Sequence, residues 1–228
     1  VAVLENGRFS IRRDIGKLHN LEELLRERPL IGNVGIGHTR WATHGPPTEN
    51  NAHPHMSMNG RVVVVHNGIV ENFIPLRDEL QAEGVVFESD TDTEVIVQMI
   101  ERYIEAGEGL ETAVRLTIAQ LKGASAIVVL SRDNPNVMIC ARLGNAGGVA
   151  IGLGEDEIFL ASDIPAILEY TRDMIFLENR QMARLERGGC HVTDLDGNPM
   201  ETQTHRIAWD PVSAAKGEYK HFMQKEIF

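Results

Sequence analysis

The chain has 228 residues, a formal net charge of −11, 43% hydrophobic and 24% charged residues, the make-up of a globular protein able to bury a sizeable core. The negative balance argues against nucleic acid as a partner, because phosphate binding needs a basic face and stretches such as Arg12-Arg13 and Arg184 to Arg187 are short and interrupted. No apolar run approaches the roughly 20 residues that cross a bilayer and no signal-peptide layout opens the chain, so a cytoplasmic protein without a membrane partner is expected.

From the N-terminus, Val1 to Leu4 and Phe9 to Arg12 flank Asn6-Gly7. Both residues of that dipeptide tolerate positive φ, which predicts a β-hairpin. Leu21, Leu24 and Leu25 recur at helical spacing over residues 18 to 27, and Pro29 closes that helix. Val34-Gly35-Ile36-Gly37 predicts a strand whose glycines permit close backbone approach. Thr39 to Gly60 reads as loop, and its length favours a functional connection. Arg61 to Val65 predicts a strand apolar on both faces, as in a sheet covered on each side. Helices are expected at 75 to 83, 91 to 106 and 110 to 121. The second carries Val95, Ile96, Met99, Ile100, Tyr103 and Ile104 as an apolar stripe; the third turns Val114, Ile118 and Leu121 inward. After Gly123 the pattern changes to short strands, at 124 to 130, 137 to 142, 149 to 151, 158 to 160, 174 to 177, 181 to 185 and 190 to 193. A helical turn falls at 165 to 169 and a hairpin turn at Asp196-Gly197. Residues 208 to 228 form a less periodic tail ending in a helix-like pattern, Tyr219 to Phe228. Many strands buried on both faces, with central helices, predict two sheets packed face to face and covered by helices. That is an α/β (α+β) fold, a four-layer αββα sandwich, in one domain over residues 1 to 207.

Three features carry chemistry. Arg40, where a strand hands over to a loop, has the planar fork that grips a carboxylate; a structural salt bridge is the plainer alternative. Asn67-Gly68 sets a carboxamide beside an unhindered glycine N–H, two donors able to converge on one oxygen as in an oxyanion hole. Taken alone, that dipeptide is favoured as a tight turn. Thr91-x-x-Glu94 matches a capping box, which accounts for acids at a helix start without any function. The functional alternative has Asp92 pointing out of the helix start to hold an ammonium group.

Other chemistries find less support. His38, His44, His53, His55 and His66 invite a metal, but no pair has zincin spacing and no cysteine joins them, so no metal is expected. Gly152-x-Gly154 is not followed by the helix a phosphate cradle needs, and no cofactor is implied. Cys140, in an apolar strand pattern, reads as a buried inert thiol, and Cys190 follows Gly188-Gly189. Neither has a base nearby in sequence, so an obvious nucleophile is missing.

As a set, His38 to Gly45, Asn51 to His55, His66 to Asn72, Ser89 to Glu94 and Tyr219 to Ile227 resemble the glucosamine-6-phosphate synthase family. The resemblance is to its N-terminal glutaminase domain, a class II glutamine amidotransferase of the N-terminal-nucleophile fold, and it runs in order through almost the whole chain. Trp41-Ala42-Thr43-His44 speaks against other class II members such as the phosphoribosyl-pyrophosphate or asparagine-forming enzymes. The resemblance implies hydrolysis of L-glutamine to glutamate and ammonia, which a sugar-isomerase domain uses to make glucosamine 6-phosphate from fructose 6-phosphate, in a full-length homodimer. It implies that Arg40, assisted by Thr43 and His44, holds the glutamine α-carboxylate and Asp92 its α-ammonium. Asn67 and Gly68 would form the oxyanion hole, and Trp41 would lie next to the ammonia exit. The family begins with a cysteine whose thiol attacks the amide, whereas residue 1 here is Val1 and aligns with the family's second strand. The resemblance therefore implies a missing first strand and nucleophile, a tail leading toward an absent isomerase domain, and no glutamine turnover by these residues alone. A non-catalytic glutamine- or glutamate-binding regulatory module on the same fold is the other reading.

Overall fold

The computed structural model describes residues 1–208. The expected helix-like pattern from Tyr219 to Phe228, and the rest of the tail from Trp209 onward, lies outside the described residues.

The N-terminal hairpin forms from β1 (Ala2–Glu5) and β2 (Arg8–Ile11), with Asn6 and Gly7 at φ 50° and 74°. Both central residues thus take the positive φ for which Asn-Gly is suited. Helix α1 (Leu18–Glu27) lies where its leucine spacing predicts, although it contributes no buried side chain. β3 (Gly35–Ile36) pairs with the free edge of β1. The stretch expected to be all loop contains a short strand, β4 (His55–Met56), paired with β5 (Val62–Gly68). β5 runs past its expected end at Val65 and carries His66, Asn67 and Gly68 within it.

Helices α2 (Phe73–Ala82), α3 (Thr93–Glu105) and α4 (Leu110–Gln120) follow. The chain then returns to strands: β6 (Ser125–Ser131), β7 (Val137–Leu143), β8 (Ala150–Leu153) and β9 (Ile158–Ala161). After a 3-10 turn at Ile164–Ala166 come β10 (Asp173–Phe176), β11 (Gln181–Glu186), β12 (Gly189–Asp194) and β13 (His205–Arg206).

These strands make one antiparallel six-stranded sheet, in the order β12-β11-β7-β6-β5-β4. Facing it is a second layer of two pieces, β2-β1-β3 and β13-β10-β8-β9. The pleat of β5 explains the layering, since alternate side chains leave a strand on opposite faces. Val62 and Val64 pack with Val95, Ile96, Met99 and Ile100 of α3. Val63 and Val65 pack instead with Ala2, Ile36, Ile151 and Ile175 of the second layer. Each fully buried valine contributes about 1.5–3 kcal/mol, so the run of four holds β5 firmly between its neighbours. On the outer face of the second layer, Ile167 and Leu168 after the 3-10 turn cover Ala150 and Met174.

The turn that feeds β5 hangs from one carboxylate. Glu101, on α3 and buried, accepts from Ser57 Oγ at 2.6 Å, Asn59 N–H at 2.9 Å and Arg61 N–H at 3.3 Å. Hydrogen bonds to a charged group contribute roughly 1.5–3 kcal/mol each and are not additive within a network. Glu101→Ala is expected to lower stability by about 3 kcal/mol. Urea denaturation should show a lower midpoint with an unchanged m-value; an unchanged midpoint would show that the turn holds without Glu101.

Candidate active site

The pleat that divides the valines also divides the polar residues after them. His66 inherits the helix side: its Nδ1 lies 2.9 Å from Thr93 Oγ1 at the start of α3, and its Nε2 3.2 Å from Ser125 Oγ on β6. Asn67 inherits the other side, where its Oδ1 lies 2.8 Å from His38 Nε2. Gly68 pairs opposite Ser125 with φ 130°, and a Cβ there would come within 2.1 Å of Ala124 O. Asn67-Gly68 is therefore not the tight turn that the dipeptide alone suggested. It is the last segment of a central strand, in a conformation and space that only glycine fills.

The ladder also fixes where the Gly68 N–H points. Ile69 N–H donates to Ala124 O at 3.2 Å, on the β6 side, while His66 N–H points the other way and reaches His53 Nδ1 at 3.3 Å. Antiparallel pairing alternates these directions, so the Gly68 N–H turns away from β6 with that of His66. His53, His66, Asn67 and Gly68 all border one cavity of about 330 Å³, a size suited to a small molecule.

At the opposite wall stands Asp92, only 3% exposed. Only the Thr91 half of the expected capping box forms, and it does so without Asp92, while the Glu94 side chain reaches past Thr91. Thr91 Oγ1 accepts from Glu94 N–H at 3.3 Å, and the Glu94 carboxylate accepts from Ser89 N–H at 2.7 Å and Glu88 N–H at 2.9 Å. Asp92 makes no side-chain cap. Its Oδ2 accepts from Val70 N–H at 2.7 Å, and its Oδ1 lies 3.7 Å from His44 Nδ1, too far for a hydrogen bond. A buried carboxylate oxygen thus faces the cavity with acceptor capacity to spare.

Arg40 and Trp41 border the same cavity with Thr43, and Trp41 is 89% exposed. The Arg40 guanidinium also closes its own loop: Nη1 donates to Pro46 O at 2.9 Å, and Nη2 donates to Gly45 O at 3.1 Å and to His44 O. Asn51 ties that loop to the approach to α3. Its Nδ2 donates to Pro46 O at 3.0 Å, and its Oδ1 accepts from Asp90 N–H at 2.9 Å. Arg40, Trp41, Thr43, Asn67, Gly68 and Asp92 are thus gathered at one cavity. His44 is set beside Asp92 and edge-on to Phe73, with ring centroids 5.0 Å apart.

Sequence reading weighed the other histidines only as metal ligands. They form a packed cluster instead: His38 stacks on His53 with centroids 4.4 Å apart, and His53 meets His55 edge-on at 4.8 Å. Burial lowers the pKa of His66 to about 4 and of His55 to about 3, and pushes His38 and His53 down as well. These rings are neutral at pH 7. Among the described residues no three His, Cys, Asp or Glu side chains are arranged to hold a metal ion. Neither cysteine borders the cavity, and burial pushes both thiols up, Cys190 to about 11.

Two facing antiparallel sheets with a polar cavity at the end of a central strand are a fold that solved amidotransferases also adopt. A solved glutamine phosphoribosylpyrophosphate amidotransferase from B. subtilis shares it, with a TM-score of 0.71 at 23% identity over 87% of this chain and 43% of that one. So does a glutamine aminotransferase class-II domain protein from Silicibacter pomeroyi, with a TM-score of 0.55 at 19% identity over 85% and 89% of the two chains. Residues 27–198 match the glutamine amidotransferase domain, and the chain belongs to that family. It is also similar to proteins named glutamine--fructose-6-phosphate aminotransferase (isomerizing). The relative from Methanothermobacter thermautotrophicus is 45% identical over 95% of this chain and 36% of its own length. That from Aquifex aeolicus is 45% identical over 100% of this chain and 38% of its own length. The chain therefore spans little more than a third of these relatives. Among the described residues no helix is long and apolar enough to cross a membrane.

The buried histidines make stability depend on pH. An unfolded histidine titrates near 6.5, well above these folded values, so below pH 6.5 the unfolded state binds more protons. Their share of stability is full above about 6.5 and is lost as pH falls toward about 4 for His66 and about 3 for His55. The slope is up to about 1.4 kcal/mol per pH unit for each ring. Thermal unfolding between pH 7 and 4.5 should show Tm falling with pH, and less steeply in His66→Gln. Parallel curves would mean that His66 is not held neutral.

Proposed function

We propose that this domain hydrolyses L-glutamine to glutamate and ammonia, and that the parent protein uses the ammonia to make glucosamine 6-phosphate from fructose 6-phosphate. One observation carries the reading: a buried carboxylate with a free oxygen, an arginine, and a carboxamide beside a glycine N–H border a single small-molecule cavity. A free α-amino acid with a side-chain amide is the ligand whose charges and polarity match all of them. Asp92 receives the α-ammonium, and Arg40 the α-carboxylate with Thr43 and His44 beside it. The side-chain carbonyl then faces Asn67 Nδ2 and the Gly68 N–H, whose hydrogen bonds strengthen as negative charge grows on the oxygen. Trp41, exposed at the rim, lies where ammonia would leave. Residues 1–207 belong to this glutaminase domain. The chain spans little more than a third of relatives named glutamine--fructose-6-phosphate aminotransferase (isomerizing), which supports a further, sugar-isomerase domain; the full-length protein is proposed to be a homodimer.

The attacking group is a separate matter. Cys140 and Cys190 are remote from the cavity and too basic to supply a thiolate at pH 7. Neither therefore serves as the attacking group, and we propose that the cysteine nucleophile implied by the family resemblance lies outside residues 1–228. The same observation favours a second reading, a glutamine- or glutamate-binding module that does no chemistry.

The 228-residue polypeptide should release ammonia from L-glutamine no faster than buffer, which a coupled ammonia assay reads directly; clear turnover would defeat the assignment of the nucleophile. By calorimetry it should bind L-glutamate, and Asp92→Asn should weaken that binding about 10- to 100-fold, the value of one charge-assisted hydrogen bond. Equal affinities would remove Asp92 from the ammonium site.

A further inference from the structure

A carboxamide serves as an oxyanion donor only with its NH₂ facing the substrate; rotated by half a turn, it presents an oxygen that repels the developing charge. Something must hold Asn67 in one orientation. The group in contact with it is His38, which follows β3 on the opposite sheet layer and places Nε2 2.8 Å from Asn67 Oδ1.

Two further observations decide the direction of that bond. His38 Nδ1 is buried and has no hydrogen-bond partner among the described residues. If the ring carried its proton on Nδ1, a buried N–H would be orphaned, and Nε2 would have to accept from a rotated Asn67. With the proton on Nε2, only a lone pair is left unpaired, the lesser penalty in native structures. The second observation is that Asn67 Nδ2 has no acceptor among the described residues and is not a sealed, orphaned atom. Its donors are available to the cavity that Asn67 borders. The His38 ring is itself held by stacking on His53, at 4.4 Å between centroids and 21° between planes, and His53 is tied through Nδ1 to the His66 N–H of β5.

We infer that His38 is a positioning residue: as a neutral imidazole protonated at Nε2, it donates to Asn67 Oδ1 and so keeps the Asn67 NH₂ directed into the substrate cavity. This assignment rests on the proposed glutaminase reading for its effect on rate, but not for its geometry. His38 does not touch substrate in this role and exchanges no proton during turnover. Its loss affects the transition state, where the carbonyl oxygen carries charge, far more than the ground-state complex, which Arg40 and Asp92 hold by the other end of the molecule.

Two measurements test it. Long-range ¹⁵N–¹H correlation spectra of the 228-residue polypeptide, assigned with His38→Gln, should report His38 as the Nε2–H tautomer at pH 7. An Nδ1–H or doubly protonated ring would overturn the inference. In the full-length protein, His38→Leu should lower kcat about 10- to 100-fold with KM for glutamine changed less than about threefold, somewhat less than outright loss of an oxyanion donor. His38→Gln, whose Nε2 can still donate to Asn67 Oδ1, should recover most of the rate. Unchanged kcat in His38→Leu, or equal loss in both variants, would reject the positioning role. If the unsubstituted full-length protein did not hydrolyse glutamine, the glutaminase reading would fail, and the tautomer, measured without substrate, would still decide the orientation.

Discussion

A strand buried on both faces has no solvent side, so every residue along it must suit whichever layer its pleat addresses. β5 meets that condition for both its apolar and its polar residues. Val62 and Val64 answer to the helices, Val63 and Val65 to the second sheet layer, and His66 and Asn67 continue the same alternation with polar partners in place of apolar ones. The pairing that assembles the core is thereby the pairing that aims the site. Sliding β5 by one residue against β6 would turn His66 toward the inter-sheet core and Asn67 toward α3, stranding both without partners. Core register and site geometry stand or fall together.

The opposite wall depends on a division of labour at the start of α3. Exposed N–H groups at a helix N-terminus ordinarily claim the nearest carboxylate. Here Thr91 Oγ1 takes the Glu94 N–H, while the Glu94 carboxylate is drawn to the N–H and hydroxyl of Ser89. Asp92 is left with one backbone donor, from Val70. Asn51 then fixes the loop bearing Arg40 to the segment leading into Asp92. A short amide bridge thus ties together the segments that bear the two charged groups. Gly45 sits where that loop is tightest: its φ is 73°, and a Cβ would meet Asn51 Nδ2 at 2.7 Å. A side chain there would push the bridge apart.

How much of this could be read from residues alone follows from how local each cause is. The hairpin at Asn6-Gly7 and α1 were legible because turn chemistry and leucine spacing act over a few residues. The gathering of Arg40, Asn67 and Asp92 at one cavity was legible through the resemblance, since residue type alone left a salt bridge, a turn and a capping box as plain alternatives. The state of Asn67-Gly68 was not. Its apolar signal stops at Val65, and what keeps the strand going is pairing with Ser125 and Ala126, far along the chain. β4 was hidden for the same reason: two residues carry no period, and only β5 makes them a strand. The role of the histidines was hidden for a different reason: burial, which composition does not reveal, makes His38, His53, His55 and His66 neutral packing and hydrogen-bonding groups.

That neutrality bears on how the cavity can work. Among the described residues bordering it, Arg40 is the one cation and Asp92 the one anion, because His38, His53 and His66 are held uncharged. On the proposed reading, an imidazolium beside Asn67 would compete with Arg40 for the α-carboxylate. Neutral, oriented donors act differently. A carboxamide and a backbone N–H interact weakly with a neutral carbonyl and strongly with an oxyanion, and they need no reorganisation when the charge appears. On the proposed glutaminase reading, charge at one end of the cavity would select the ligand, while oriented dipoles at the other end would select the transition state.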